Sequence, residues 1–399
     1  MMKLLIITSR YPHIKDSVSL SFVKSQVDCL KDVVEKVYVV ALTPFVPKFL
    51  SKLSFMDPRW KRDAFAHDYK YDNVEVYFAK HFTLPFDFSR KERGDAAFKV
   101  VNKIIQRGKI EFDLIHAHFV WSAGYVGAKL KEKCNIPFIV TAHGYDIYDL
   151  PFRDEEWKEK TEYVLNSADY IITVSNSNLE CIKKLDVKTP VEVIPNGFRS
   201  DIFHQKKLEE CKKKLNLPLD RRIILTVGVV YDEVKGCKYL IEAMCEVVKH
   251  KKDGVLCIIV GSGKLKDELE NRIKELELGD YVRLVGGKPH QEIPIWMNAC
   301  NVFVLPSLRE SFGVVQIEAM ACGKPVVATF NGGSEEIIIN DKLGILVEPK
   351  DIDGLANAIL KALDKEWDID YILNCAEQYS GDVIAKKIIG VYNEVLKKE

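Results

Sequence analysis

The fold class of the second half of the chain is decided by the segment from Leu305 to Ala328, which reads LPSLRESFGVVQIEAMACGKPVVA. Two short apolar runs flank a stretch that starts near Gly313 and stops at Gly323. This order predicts a strand, a polar turn, a helix and a second strand. At such a helix start the free backbone N–H groups of 312–315 point outward with the positive end of the helix dipole, which suits an anion such as a diphosphate.

The same alternation of strand-like runs and amphipathic stretches continues along all 399 residues, a length typical of two or three domains. The predicted strands are 3–8, 37–42, 74–79, 112–117, 137–141, 169–174, 191–194, 223–228, 255–260, 281–285, 301–305, 325–328 and 345–347. A turn tripeptide, Pro195-Asn196-Gly197, separates two series of strands. We therefore expect an α/β protein of two Rossmann-like domains that face a central cleft, since open α/β sheets bind ligands beyond the carboxyl ends of their strands.

The composition excludes several classes of protein. Lysine plus arginine (58) equals aspartate plus glutamate (58), so the basic surplus of a dedicated nucleic-acid-binding protein is missing. The ten cysteines are scattered and no signal peptide is recognisable, which is typical of a reduced, cytoplasmic protein. The longest run without charged residues, 293–308, is shorter than the ~20 residues of a membrane-spanning helix and contains two prolines.

Two glutamates of the segment 305–328 are candidates for binding a polar ligand. Glu310 lies just before the predicted helix and Glu318 lies on it, so both carboxylates can face the cleft and accept hydrogen bonds from sugar hydroxyls. The alternative is that Glu310 caps the helix and Glu318 is solvated. The combination of turn, helix start and paired carboxylates favours the ligand-binding interpretation.

Two further loops follow strands of the second series. Lys235 opens a predicted helix, where a cation would oppose the helix dipole unless an anionic ligand lies nearby. The alternative is an ordinary exposed lysine. Gly261 begins a glycine turn at the carboxyl end of the next strand, so we expect it beside the other two loops. The helix after Lys235 carries apolar residues at helical spacing and should pack one face on the sheet.

The first series of strands brings histidines to strand ends. His116 and His118 form one pair, and His143 is followed by Gly144 and Asp146. We reject a metal site at the pair, because we expect His116 and His118 to point to opposite faces of the strand and no carboxylate completes a ligand set. His143 is the better candidate for ligand contact, against the alternative of a buried loop histidine.

Two Asp-x-Asp pairs resemble the carboxylate pairs that hold metal nucleotides in other transferases. They are Asp351 with Asp353, and Asp368 with Asp370. Both lie at predicted helix starts, where aspartate favours N-capping. We therefore interpret them as helix caps and expect no metal ion or other cofactor.

Taken together, these motifs resemble the family-four retaining glycosyltransferases of the GT-B fold, in order and over nearly the whole chain. The resemblance implies that Glu318 binds the nucleotide ribose, that Glu310 and the amides of 312–315 bind the donor sugar and diphosphate, and that Lys235 binds the diphosphate. It places His143 over the transferred sugar. It also implies that the terminal helix returns to the first domain, which gives an acceptor-side domain of 1–197 plus 380–399 and a nucleotide-sugar-binding domain of 198–379.

The full predicted site has three parts. The catalytic residues are His143, Glu310 and Lys235. The donor-binding residues are Glu318, Ser311, Phe312, Gly313, Val314, Val315, Gly261, Lys288 and Arg10. The acceptor-side residues are Tyr11, His118 and Asp146.

Three positions depart from the pattern of the family. Val229 stands where the family often has arginine, so one guanidinium on the diphosphate is missing. The loop 9–22 lacks the glycine-rich turn that many members bring to the phosphates. Arg199 stands where aspartate often follows Asn-Gly. These departures concern donor contacts and leave the expected fold unchanged.

The expected activity is retaining, metal-independent transfer of a hexose-type sugar from a nucleotide-diphosphate sugar to a glycan, lipid-linked or small-molecule acceptor. A non-catalytic nucleotide-sugar-binding protein on the same fold is the alternative, and an epimerase or a phosphorylase also stays open. A nicotinamide dehydrogenase is disfavoured, because the first strand ends in TSRYP and not in a glycine-rich fingerprint.

The acceptor side offers one further feature. Residues 44–109 hold 14 lysines and arginines against 8 aspartates and glutamates, and 44–62 interleaves aromatic and basic residues. Such a surface suits peripheral contact with the anionic inner face of a membrane and with a lipid-linked acceptor. A basic loop folded against its own domain is the alternative.

Overall fold

The computed structural model describes residues 2–13, 22–45, 65–81, 91–251 and 254–397. The chain forms two compact units, one of Met1–Pro195 with Ile384–Glu399 and one of Asn196–Val383. The first change of unit falls inside the turn tripeptide that separates the two predicted series of strands. In the described residues, no helix combines the length and the apolar character needed to cross a membrane.

The first unit is built on an eight-stranded sheet. Its strands are β1 Lys3–Thr8, β2 Lys36–Pro44, β3 Tyr69–Tyr71, β4 Val74–His81, β5 Leu114–His118, β6 Phe138–Ala142, β7 Tyr170–Thr173 and β8 Val191–Val193. The order across the sheet is β3-β4-β2-β1-β5-β6-β7-β8, and every neighbouring pair is parallel except β3 with β4. The helices of this unit are α1 Phe22–Leu30, α2 Arg93–Gly108, α3 Tyr125–Cys134, α4 Tyr145–Tyr148, α5 Glu155–Ser167 and α6 Asn176–Ile182.

The second unit repeats this plan with six strands, all parallel. They are β9 Arg222–Val227, β10 Val255–Val260, β11 Val282–Gly286, β12 Val302–Leu305, β13 Val326–Thr329 and β14 Gly344–Val347, in the order β11-β10-β9-β12-β13-β14. The helices are α7 Leu208–Lys214, α8 Cys237–His250, α9 Lys266–Glu275, α10 Ile293–Ala299, α11 Val314–Ala321, α12 Ser334–Ile337, α13 Ile352–Asp364 and α14 Ile369–Glu377.

The last helix, α15 Gly381–Leu396, contributes its apolar side to the core of the first unit. Its residues Ile384, Ile388 and Tyr392 are buried in the same cluster as Leu4 and Ile6 of β1. The neighbouring residues of β1 face the cluster on the opposite side of the sheet. Because both faces are covered, β1 is an almost continuous apolar run, as parallel strands require.

Each strand predicted from the sequence is present, with ends that differ by one or two residues at most. The helix predicted after Lys235 is α8, and its residues Leu240, Ala243 and Met244 are fully buried. The prediction missed β3, a three-residue edge strand that precedes a turn at Asp72. A run as short as this, without an apolar pattern, carries no strand signal of its own.

Both sheets reverse their order at one point, between β1 and β5 in the first unit and between β9 and β12 in the second. At such a switch point the connections of the two adjacent strands leave toward opposite faces of the sheet, so a crevice opens at the carboxyl ends. The loops that follow β9 and β12 contain Lys235 and Glu310, respectively. The loops that follow β1 and β5 contain Arg10 and Phe119.

Two helical glycines form a matched pair for testing this packing. A Cβ at Gly127 in α3 would overlap the ring of Phe138, whereas a Cβ at Gly390 in α15 would meet no atom within 4 Å. We expect Gly127→Ala to lower the free energy of unfolding by about 1–3 kcal/mol through overpacking, and Gly390→Ala to raise it by about 0.5–1 kcal/mol through helix propensity. Urea denaturation measures both values. A stabilised Gly127→Ala variant would contradict the contact with Phe138.

Candidate active site

The loops at the carboxyl edge of the second sheet lie against one another through their backbones. The amide of Leu308 donates to the carbonyl of Val234 at 2.7 Å. Gly236 has a φ of +66°, and a Cβ at this position would overlap the carbonyl oxygen of Pro306. A Cβ at Gly261 would overlap the carbonyl oxygen of the loop after β9 in the same way. Glycine at these two positions therefore allows the loops after β9, β10 and β12 to pack closely.

This packing brings Lys235 and Glu310 together. The Nζ atom of Lys235 donates to Oε1 of Glu310 at 2.6 Å, and the hydroxyl of Ser307 donates to the same oxygen at 2.8 Å. The side chain of Glu310 is 11% exposed and that of Lys235 is 29% exposed. The other carboxylate oxygen of Glu310 makes no hydrogen bond to any residue that the structure describes.

Glu310 does not cap the helix that follows. Helix α11 begins after Gly313, which has a φ of +87° and provides no side-chain cap. The amide of Glu310 donates to Asn331 after β13, at 2.9 Å. Within the described residues, no hydrogen bond is found for the amides of 312–315, so these N–H groups are available at the positive end of the helix.

Glu318 is buried rather than solvated, with 6% of the residue exposed. The Nε2 atom of His290 lies 3.1 Å from its Oε1 atom. Its Oε2 atom makes no hydrogen bond within the described part of the chain. Both glutamates of the segment are therefore held through one carboxylate oxygen, while the other has no hydrogen-bond partner among the described residues.

The other predicted donor-binding residues are distributed around this edge. Phe312 is buried and its ring lies 5.5 Å from that of Tyr379. The Nζ atom of Lys288, in the loop after β11, lies 5.6 Å from the centre of the Trp296 ring. Val229 is 53% exposed after β9. The partly exposed residues are Ser311, Gly313, Val314, Val315 and Gly261.

In the first unit, Asp146 shapes the loop that carries His143. Its buried carboxylate accepts hydrogen bonds from the amides of Val120 at 2.7 Å, Gly144 at 2.8 Å and His143 at 3.2 Å. Burial raises the pKa of Asp146, and these amides act in the opposite direction. Asp146 therefore holds the loop from within, and its acceptor contact stays a prediction.

Three histidine rings lie together beside this loop. The ring centres of His116 and His118 are 4.4 Å apart, and Nδ1 of His118 lies 2.9 Å from Nε2 of His143. The expectation that the first two point to opposite faces is wrong, because residues two apart on a strand share a face. His116 is also held by the hydroxyls of Tyr392, at 2.6 Å, and Thr141, at 2.7 Å.

Burial dominates the electrostatics of these histidines. It lowers the pKa of His116 to about 3 and the pKa of His143 to about 3. For His143, electrostatic repulsion from a protonated His116 adds to this lowering. Burial also lowers the pKa of His118 well below its usual range. All three rings are neutral near pH 7. The aromatic rings of Phe22, at 4.5 Å, and Phe119, at 4.8 Å, complete the surroundings of His143.

The two predicted residues of the first loop have different environments. Arg10 is exposed after β1. Tyr11 is 8% exposed, and its hydroxyl lies 2.9 Å from that of Tyr71, which donates to Asp28 at 3.0 Å. This partly buried network joins the loop to β3 and α1, and the acceptor contact of Tyr11 stays a prediction. The stretch 44–62 lies outside the described residues, apart from Pro44 and Phe45.

The carboxylates of Asp351 and Asp368 accept hydrogen bonds from the amides of Gly354 and Tyr371, which confirms the prediction of two N-caps. Among the described residues, no group of three or more histidine, cysteine, aspartate or glutamate side chains is arranged to hold a metal ion.

Sequence reasoning missed the partners that hold the two glutamates. Ser307 was visible as part of the same segment, and its position three residues before Glu310 is the signal that could have identified it. His290 is far from Glu318 in sequence, and nothing in the local pattern links the two.

Comparison with known proteins shows the family of the chain. The family model described as glycosyl transferases group 1 matches residues 208–378, and the model described as Glycosyltransferase Family 4 matches residues 44–201. An uncharacterized glycosyltransferase of Methanocaldococcus jannaschii is 32% identical over 301 residues, which cover 74% of this chain and 77% of that protein. The chain belongs to the family-four, group 1 glycosyltransferases.

Solved structures show the fold of this glycosyltransferase. The sucrose-phosphate synthase of Thermosynechococcus elongatus matches with a TM-score of 0.79 and 23% identity, and the match covers 100% of both chains. HepE of Anabaena, solved in complex with UDP, matches with a TM-score of 0.74 and 22% identity over 99% of this chain and 100% of that one. The enzyme has the GT-B fold of two Rossmann-like domains.

The buried histidines predict how the stability of the glycosyltransferase depends on pH. An unfolded histidine binds a proton below about pH 6.5, whereas His143 in the folded chain stays neutral down to about 3. The unfolded state therefore binds more protons between these values, and folding stability falls as the pH falls through this range. His143→Asn should weaken this dependence by up to about 1.4 kcal/mol per pH unit.

Urea denaturation between pH 7.5 and pH 4.5 measures the effect. Leu219→Ala, at an exposed position in the second unit, removes no titratable group and is the control that should keep the pH dependence of the original protein. An unchanged dependence in His143→Asn would mean that this ring gains a proton in the folded state.

Proposed function

We propose that this glycosyltransferase moves a hexose-type sugar from a nucleotide-diphosphate sugar to a glycan, lipid-linked or small-molecule acceptor, with retention of configuration and without a metal ion. The observation that carries the proposal is the contact of Lys235 with Glu310 beside the amides of 312–315, for which the described part of the chain provides no hydrogen-bond acceptor. Retention follows from the resemblance to the retaining family. The two Asp-x-Asp pairs support metal independence, because Asp351 and Asp368 serve as helix caps.

The leaving group of this reaction is a nucleoside diphosphate, on which negative charge develops as the bond from C1 to phosphate oxygen breaks. We assign its stabilisation to Lys235 and the amides of 312–315. A preorganised donor of this kind is worth about 2.7–4 kcal/mol in the transition state. The loops after β9 and β12 are joined by backbone contacts. Lys235 and the amides of 312–315 therefore need little reorganisation to stabilise the leaving group.

The carboxylates of Glu310 and Glu318 are suited to bind hydroxyl groups of the donor. Glu310 and Glu318 each have one oxygen without a partner in the described ranges, which can accept from the transferred sugar and from the ribose, respectively. Carboxylates accept hydrogen bonds from hydroxyls at both oxygens and discriminate against analogues that lack them. HepE was solved with UDP, so UDP is the first nucleotide to test.

His143 is proposed to position the transferred sugar rather than to remove a proton. A general base works best with a pKa near the working pH, and burial lowers the pKa of His143 to about 3. The departing phosphate oxygen therefore takes the proton of the acceptor hydroxyl on the same face, while the acceptor oxygen forms its bond to C1. His118 and Asp146 orient His143 through the contacts described above.

Substitution of the central pair tests the donor site. The donor is first identified by thermal shift with UDP, GDP, ADP and their sugars. Glu310→Ala and Lys235→Ala should each lower kcat/KM by about 10²–10³, the loss typical of one preorganised donor or acceptor. Lys249→Ala removes the lysine of an exposed pair with Glu246 in the same unit and should change kcat/KM by less than about twofold. Losses below tenfold for both site variants would reject their roles.

The acceptor surface at 44–62 remains a proposal from the sequence. We expect the enzyme to co-sediment with vesicles that contain anionic lipid in preference to neutral vesicles, because basic residues near a membrane surface contribute about 1 kcal/mol each. A variant with serine at Lys48, Lys52, Arg59, Lys61 and Arg62 is the comparison and should lose the preference. Equal sedimentation with both vesicle types would exclude the membrane contact.

A further inference from the structure

We infer that His290 is a positioning residue that orients the carboxylate of Glu318 and thereby sets the preference of the enzyme for a nucleotide whose ribose carries both hydroxyls. This inference rests on the proposed function, in which Glu318 accepts hydrogen bonds from the ribose. The family resemblance assigns a role to Glu318 and none to His290.

The contact between His290 and Glu318 has one donor. The Nε2 atom of His290 lies 3.1 Å from Oε1 of Glu318, and a carboxylate oxygen can only accept, so Nε2 carries the hydrogen. His290 begins a short helical turn, His290–Glu292, in the loop after β11, whereas Glu318 lies in the middle of α11. The bond therefore ties the loop after β11 to the helix whose amides face the same edge.

The ring of His290 is itself fixed. It packs edge-to-face against Phe203, with ring centres 5.1 Å apart, and Phe203 is 1% exposed. The side chain of His290 is 16% exposed, and its Nδ1 atom is buried without a hydrogen-bond partner in the described residues. Rotating the ring by half a turn would point a carbon atom at Glu318 and lose the bond. One ring orientation is therefore favoured.

A fixed donor on Oε1 fixes the plane of the carboxylate. Glu318 has no second hydrogen-bond partner in the described residues, so without His290 its terminal torsion would rotate among broad minima. With His290 in place, Oε2 and the remaining lone pair of Oε1 face fixed directions and can accept from two adjacent hydroxyls. A vicinal diol is the group that matches such a carboxylate, and the nucleotide ribose supplies one at its 2′ and 3′ positions.

The test compares a nucleotide with its 2′,3′-dideoxy analogue. The probe is whichever of UDP, GDP and ADP binds most tightly to the full chain, and calorimetry gives Kd for both forms. We expect the original enzyme to prefer the ribonucleotide by about tenfold or more, which corresponds to hydrogen bonds with a charged acceptor. His290→Ala should reduce this preference to about threefold or less by weakening ribonucleotide binding alone.

Four further variants separate the effect of His290 from that of Glu318. Glu318→Ala should abolish the preference, and the double variant should equal Glu318→Ala, because His290 acts only through Glu318. His290→Gln retains an amide donor and should restore part of the preference, which also covers the case in which His290→Ala folds poorly. His250→Ala is an exposed histidine control in the same unit and should leave both Kd values unchanged.

The outcomes separate this inference from the proposed function. If Glu318→Ala keeps the full preference, or if none of the nucleotides binds, the proposed donor site fails. If Glu318→Ala loses the preference while both His290 variants keep it, the role of His290 is wrong and the donor site stands. An equal loss of affinity for both forms of the nucleotide in His290→Ala, with no recovery in His290→Gln, would show a purely structural role and overturn the inference.

Discussion

The close approach of the loops after β9 and β12 is the constraint on which the candidate site depends. Gly236 lies against the carbonyl of Pro306, and this contact brings Lys235 within 2.6 Å of Glu310. The two strands are adjacent only because the sheet reverses its order between them. The ion pair is thus a consequence of topology and of one glycine, and the start of α11 follows a few residues later on the same loop.

The candidate residues of the two units differ in charge. The second unit carries charged groups held through single atoms, as in Glu310 and Glu318, so that capacity for further hydrogen bonds remains. The first unit carries the clustered rings of His116, His118 and His143, which burial keeps neutral. In the proposed function, neutral rings orient a polar substrate without attracting counter-ions, while charged groups and amides of the second unit stabilise a diphosphate. Such a division would suit the transfer of a sugar from a charged carrier.

Most of the fold could be predicted because fully buried parallel strands are short β-branched runs, and the start of α11 could be predicted because Gly313 ends a polar turn. The edge strand β3 could not, since three residues paired at an edge need no apolar pattern. The partner of Glu318 was also beyond prediction, because His290 reaches it across the sheet edge from a different loop. The shared face of His116 and His118 was predictable from strand periodicity and was misjudged.

The position of α15 has a consequence for when the first unit can fold during synthesis. Strand β1 lies far ahead of α15 in the sequence, but one side of its sheet is covered by Ile384, Ile388 and Tyr392 of that helix. Until those residues emerge, an apolar surface of the amino-terminal unit stays open to solvent. Domains of many proteins fold as units during synthesis, starting from the amino terminus. Here the first unit closes only after the whole of the second unit has been synthesised, so its sheet cannot complete its core as a separate nascent domain.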